Sequence, residues 1–116
     1  MGKDEGFRAF VEDQLEGIER LDVRPMFGGY GLYCGDVFFG IIFHGQLFFK
    51  TSEDTRGRYV KRGMKPFRPS AKQTLKSYYE VPADVLDETD VLVAWAREAV
   101  SCQHTRQRRS ISRARR

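Results

Sequence analysis

Nine basic side chains lie between residues 50 and 76: Lys50, Arg56, Arg58, Lys61, Arg62, Lys65, Arg68, Lys72 and Lys76. Only Glu53 and Asp54 oppose them in that segment, and Tyr59 and Phe67 are set among them. Cations interleaved with aromatic rings are a combination that follows a phosphate backbone and stacks bases. The same residues also make an ordinary solvated face, so the segment marks a positive patch and leaves its use open. From Cys102 onward the chain holds six arginines, Arg108 and Arg109 among them, and no acid. Such a tail is a candidate for polyanion contact, with a salt slope of up to about −5 if every arginine meets a phosphate. The net charge of +4 is therefore a tail property, because the body up to Ser101 carries 14 basic and 16 acidic residues.

The remaining reactive residue types do not converge. Gly28, Gly29 and Gly31 lack the third glycine of a dinucleotide fingerprint, since Cys34 stands there and a strand, not a helix, follows. They read as sites of positive φ or close backbone approach at a turn or bulge. His44 and His104 have no cysteine or carboxylate at ligand spacing, and His44 beside Gly45 reads as a solvated turn residue. Cys34 precedes a turn glycine and has no local base to activate a thiol. Glu53 with Asp54, and Asp87 with Glu88, stand at helix starts, where the macrodipole and capping account for them. No catalytic, metal or cofactor pattern emerges, and a non-enzymatic protein is expected. Two cysteines far apart, without an N-terminal apolar segment, point to a reduced, cytoplasmic setting. Every apolar run falls short of the roughly 20 residues a membrane span requires.

The elements that position these residues follow from periodicity. Phe7, Phe10, Val11, Leu15, Ile18 and Leu21 recur at helical spacing, which predicts an amphipathic helix from Asp4 to Leu21 with an acidic outer face. Met26 to Lys50 is rich in Phe, Ile, Val and Tyr and is divided at Gly28-Gly29, Gly35-Asp36 and Gly45-Gln46. That pattern predicts a meander of three to four antiparallel strands. Strict alternation in Val37–His44 puts Val37, Phe39, Ile41 and Phe43 on one face and Phe38, Gly40, Ile42 and His44 on the other. Both faces are apolar, so the strand calls for two covers: helices on one side, and a loop, a partner subunit or a ligand on the other. A short helix capped by Ser52 or Thr51 should end at Gly63. An edge or irregular extended piece from Met64 to Pro69, a strand from Leu75 to Val81 and a short helix after Pro82 come next. The last helix is expected from Glu88 to Ser101, with Val91, Leu92, Trp95, Ala96, Ala99 and Val100 as its apolar stripe. The whole reads as one α+β domain over residues 1–101, an antiparallel sheet flanked by terminal helices, with residues 102–116 a disordered basic tail.

Several separated motifs carry a resemblance. Arg24-Pro25-Met26-Phe27-Gly28-Gly29-Tyr30-Gly31-Leu32-Tyr33, Gly45-Gln46-Leu47-Phe48-Phe49-Lys50 and Gly63-Met64-Lys65-Pro66-Phe67 occur in order, followed by Ser77-Tyr78-Tyr79-Glu80-Val81-Pro82 and Trp95-Ala96-Arg97. In these the chain resembles the N-terminal domain of the TfoX/Sxy family, bacterial regulators associated with natural competence. The resemblance implies an α+β domain with a regulatory role exercised through protein contacts, and it supplies no ligand or active site. It marks Arg24, Met26, Gly28, Gly29 and Gly31 as a candidate family-motif surface. Full-length regulators continue into a second, helical domain where this sequence has its arginine-rich tail. The expectations are thus a protein partner, a homodimer through the second sheet face, and, as the alternative, direct contact of nucleic acid with the patch and tail.

Overall fold

The computed structural model describes the backbone of residues 3–26 and 28–115 and the side chains of residues 5–26 and 28–102. The chain runs α1 (Lys3–Gln14), β1 (Leu21–Met26), β2 (Gly29–Cys34), β3 (Val37–Phe43), β4 (Gln46–Lys50), α2 (Glu53–Lys61), β5 (Pro66–Ser70), β6 (Gln73–Glu80), α3 (Ala83–Leu86) and α4 (Thr89–Arg115). The strands form one antiparallel sheet in the order β1-β2-β3-β4-β6-β5. The α+β class and the flanking helices expected from periodicity are what the structure shows. Among the described residues, no helix is long and apolar enough to cross a membrane.

Two boundaries differ from expectation. The helix α1 stops at Gln14, because the chain then closes tighter turns through Glu16 N–H to the Asp13 carbonyl and Ile18 N–H to the Leu15 carbonyl. Arg20 follows in the left-handed region at φ 52°. Leu15 and Ile18 are nonetheless buried, so the apolar period persists after the helix has ended. At the other terminus α4 passes the expected end at Ser101. The side chains of residues 103–116 lie outside the described residues, and with them the expected behaviour of the basic tail.

Strict alternation fails in β3, and the failure determines what each sheet face contains. Leu32 pairs with Gly40 and Tyr33 with Phe38, so Phe39 is an extra residue, a β-bulge. Downstream of it the sides exchange. Phe39 and Ile42 join Leu32, Leu47 and Phe49 under α1, α2 and α4, where Val11, Leu15, Tyr59, Leu92, Trp95, Ala96 and Ala99 complete the main core. Ile41 lies on the opposite face with Phe48, Phe67 and Tyr78, edged by Met26, Phe38, Phe43 and Leu75. In the α4 stripe Val93 is buried and Val91 is exposed, a one-residue rotation from the expected face.

The second cover is the chain's own. The β5–β6 hairpin curls over the face opposite the helices and sets the Phe67 ring 5.2 Å from Phe43 and 4.9 Å from Phe48. Ile41 and Phe48 are left only 1 % and 5 % exposed. Burying a side chain of this size contributes roughly 1.5–3 kcal/mol. The sheet face that suggested a homodimer is therefore largely occupied within one chain.

Candidate functional site

The sequence-predicted basic patch divides into three groups. The first is a clamp from α2 onto α3 and α4. Ser52 caps α2 by accepting from the Asp54 and Thr55 amides, while its own amide donates to Thr55 Oγ1, and Gly63 ends the turn at φ 79°. This registers Arg58 and Arg62, four residues apart, on the side facing α4. Arg58 Nη1 donates to Glu98 Oε1 at 2.6 Å, and its guanidinium lies 4.7 Å from the Trp95 ring centre. Arg62 Nη1 donates to both carboxylate oxygens of Asp84, at 2.9 and 2.8 Å, and sits 5.7 Å from the same ring. The hydrogen bond from Arg62 holds the Asp84 carboxyl below the usual carboxylate range. Tyr59, between the two arginines, is edge-on to Trp95 at 4.9 Å, and burial pushes its phenol well above the usual tyrosine range.

The second group is exposed. Lys61, Lys65, Lys72 and Lys76 point outward, and Arg68 donates to the Ala71 carbonyl of its own hairpin at 3.2 Å. The third group is withdrawn into a cleft. Lys50 is 6 % exposed, donates from Nζ to Ser77 Oγ at 2.9 Å, and lies 5.3 Å from the Tyr78 ring. Arg56 donates from Nε to Thr51 Oγ1 at 3.4 Å. Both line a polar cleft of about 570 Å³ between the end of β4, the start of α2, β6 and α4, with Thr51, Ser52, Ser77 and Glu98 in its walls. Arg108 and Arg109 lie outside the residues with described side chains. A nine-residue basic run is thus a clamp, a solvated rim and a cleft floor, not one surface.

The glycine motif is brought together on the sheet. Gly28 turns at φ 81°. A Cβ on Gly29 would collide with the Ile42 carbonyl, and one on Gly31 would meet Met26 Sδ at 2.8 Å and the Phe38 and Tyr33 rings at 3.2 Å. The smallness of Gly31 lets Met26, Tyr33 and Phe38 close over the strand. Tyr33, Phe38 and Tyr78 then form a row with ring centres 5.2 and 5.4 Å apart. Arg24 ends the row, 4.1 Å over Tyr33 and bonded at 2.9 Å to Asp22, which raises its already high pKa. His44 is exposed, as expected, and its ring stacks 4.1 Å from Phe43. The Cys34 thiol donates to the Glu19 carbonyl at 3.3 Å.

The residues so assembled are those of a described family: the model for the TfoX N-terminal domain matches residues 13–103. The chain belongs to that family. The match spans the sheet, the α2–α4 clamp and the cleft, so all three are parts of the TfoX N-terminal domain itself. A search of curated proteins returns no match. Sequence reading missed the clamp and the cleft because their partners are far apart in the chain. Arg58 and Glu98 are 40 positions apart, and Lys50 and Ser77 are 27. The available signal was Trp95 within its family motif.

Proposed function

We propose that this TfoX N-terminal domain is a non-enzymatic, cytoplasmic interaction module that acts on transcription or competence through a protein partner. The observation that carries the reading is the clamp: Arg58 and Arg62 are spent on Glu98, Asp84 and Trp95, fixing α2 to α3 and α4. Arginines committed to intramolecular carboxylates and a ring are poorly disposed to follow a phosphate backbone. The regulatory role is what the resemblance to the TfoX/Sxy regulators implies. A second reading, direct nucleic-acid binding, draws on the exposed cations Lys61, Lys65 and Arg68.

The two readings separate in a fluorescence-anisotropy titration of duplex DNA at near-physiological salt. The proteins are the full chain, a variant with Lys61, Lys65 and Arg68 changed to Glu, and a variant with the six tail arginines changed to Gln. The protein-contact reading expects charge reversal on the body to leave DNA affinity unchanged, and neutralising the tail to remove whatever affinity exists. Affinity that survives tail neutralisation but falls with the body charges would overturn it in favour of the second reading.

A further inference from the structure

The cleft beside α2 does not enter the proposal above, and its floor has a specific chemistry. Arg56 Nε donates to Thr51 Oγ1, Thr51 Oγ1 donates to the Ser77 carbonyl at 2.9 Å, and Lys50 Nζ donates to Ser77 Oγ at 2.9 Å. Two cations are thereby tethered to one serine, on the floor of one cavity. Thr51 is buried and Arg56 half-buried, so the tether is anchored. Among the described residues, Nε is the side-chain nitrogen of Arg56 that is engaged, which leaves both terminal amino groups to donate elsewhere. The lining also holds three acids, Glu53, Asp54 and Glu98. Glu98 is held by Arg58 at 2.6 Å, while Glu53 and Asp54 are exposed to solvent in the first turn of α2. The lining contains no large apolar side chain, and Ser52, Thr55, Ser77 and Ser101 contribute hydroxyls. The helix end is not the site, because the capping box already uses the amides of Asp54 and Thr55.

We infer that this cleft binds a phosphate group, with the Arg56 amino groups and the Lys50 ammonium as its cationic donors. A guanidinium fork offers two parallel donors to an oxyanion, and an ammonium adds a point charge from a second direction. A phosphate, with more acceptor positions than a carboxylate, can use both. The group comes either from a small phosphorylated molecule or from a nucleic-acid backbone. The inference does not rest on the protein-contact reading, although Glu98 belongs both to the clamp and to the wall of the cleft.

The test is isothermal titration calorimetry of the full chain with inorganic phosphate, against chloride at matched ionic strength, followed by competition with a short single-stranded oligonucleotide. Saturable phosphate binding is expected, with Arg56→Gln weakening it roughly tenfold or more, as expected for loss of a hydrogen bond from a charged donor. Arg56 is half-buried at the cleft wall, so this variant retains the fold; Lys50→Met supplies the second arm, with circular dichroism checking its folding. An oligonucleotide that displaces phosphate in an Arg56-dependent way supports the site and assigns the group to a nucleic-acid backbone. Failure to displace supports it with a small-molecule source. Phosphate heats no different from chloride, or an Arg56→Gln variant that binds like the parent, overturn the inference.

Discussion

Tyr59 is the residue on which most of the domain's layers meet. It sits between Arg58 and the end of α2, packs against Trp95 and Tyr79, and is buried. Burial penalises the phenolate, so its folded pKa is raised above the unfolded value of about 10. The stability contributed by this shift is complete below the unfolded pKa and is lost as pH rises through about 10 toward the folded value. Thermal melts between about pH 8 and 11 should therefore fall more shallowly for Tyr59→Phe than for the parent, with little difference at neutral pH. Equal alkaline slopes would show that Tyr59 does not govern this limb. Trp95 was legible as a core anchor from the helical spacing of its stripe. Its second role, as the floor beneath two guanidiniums, was not, because helical spacing reports which side of α4 is apolar and nothing of what α2 lays upon it. Lys50 was misleading for the same reason: a lysine in a basic run reads as solvated, and only the pairing of β4 with β6 buries it.

At the scale of elements, the strands were legible because Gly28, Gly35 and Gly45, all at positive φ, punctuate apolar runs of strand length. The faces of β3 were not, since a bulge adds a residue without any change of residue type, and a period of two then assigns everything beyond it to the wrong side. The hairpin cover was half legible. Pro66 and Pro69 marked β5 as an edge, but an edge strand that curls over the sheet is a property of twist and bulge, seen here in the register shifts around Phe67. That cover can be tested through its key side chain. Phe67→Ala should cost about 3–5 kcal/mol in urea unfolding, the usual range for a buried phenylalanine. It should also raise binding of a hydrophobic dye in the native baseline, because Ile41 and Phe48 lose their lid. A loss under about 1 kcal/mol would mean the face is covered by something else.

The whole molecule is tied at two very different ranges. Strands β1 to β4 are successive hairpins, each pairing with its immediate neighbour. The helices at the two ends are joined by contacts across almost the entire body. Gln14 Nε2 donates to the Leu86 carbonyl at 2.7 Å, Thr89 Oγ1 to Gln14 Oε1 at 2.9 Å, and Arg97 Nη2 to the Gly17 carbonyl at 3.1 Å. Closing a short loop sacrifices less chain entropy than closing a long one. The meander can therefore assemble from local encounters, while the clasp at Gln14 must wait until both ends have been brought together. The reverse route opens the same contacts first, so α1 should exchange its amide hydrogens faster than β2 to β4 in native-state hydrogen exchange. Protection of α1 equal to that of the central strands would mean that the clasp opens only with global unfolding. With the expected order, α1 becomes a door on the main core, opening as its clasp and the buried Val11 let go while the sheet behind it stays shut.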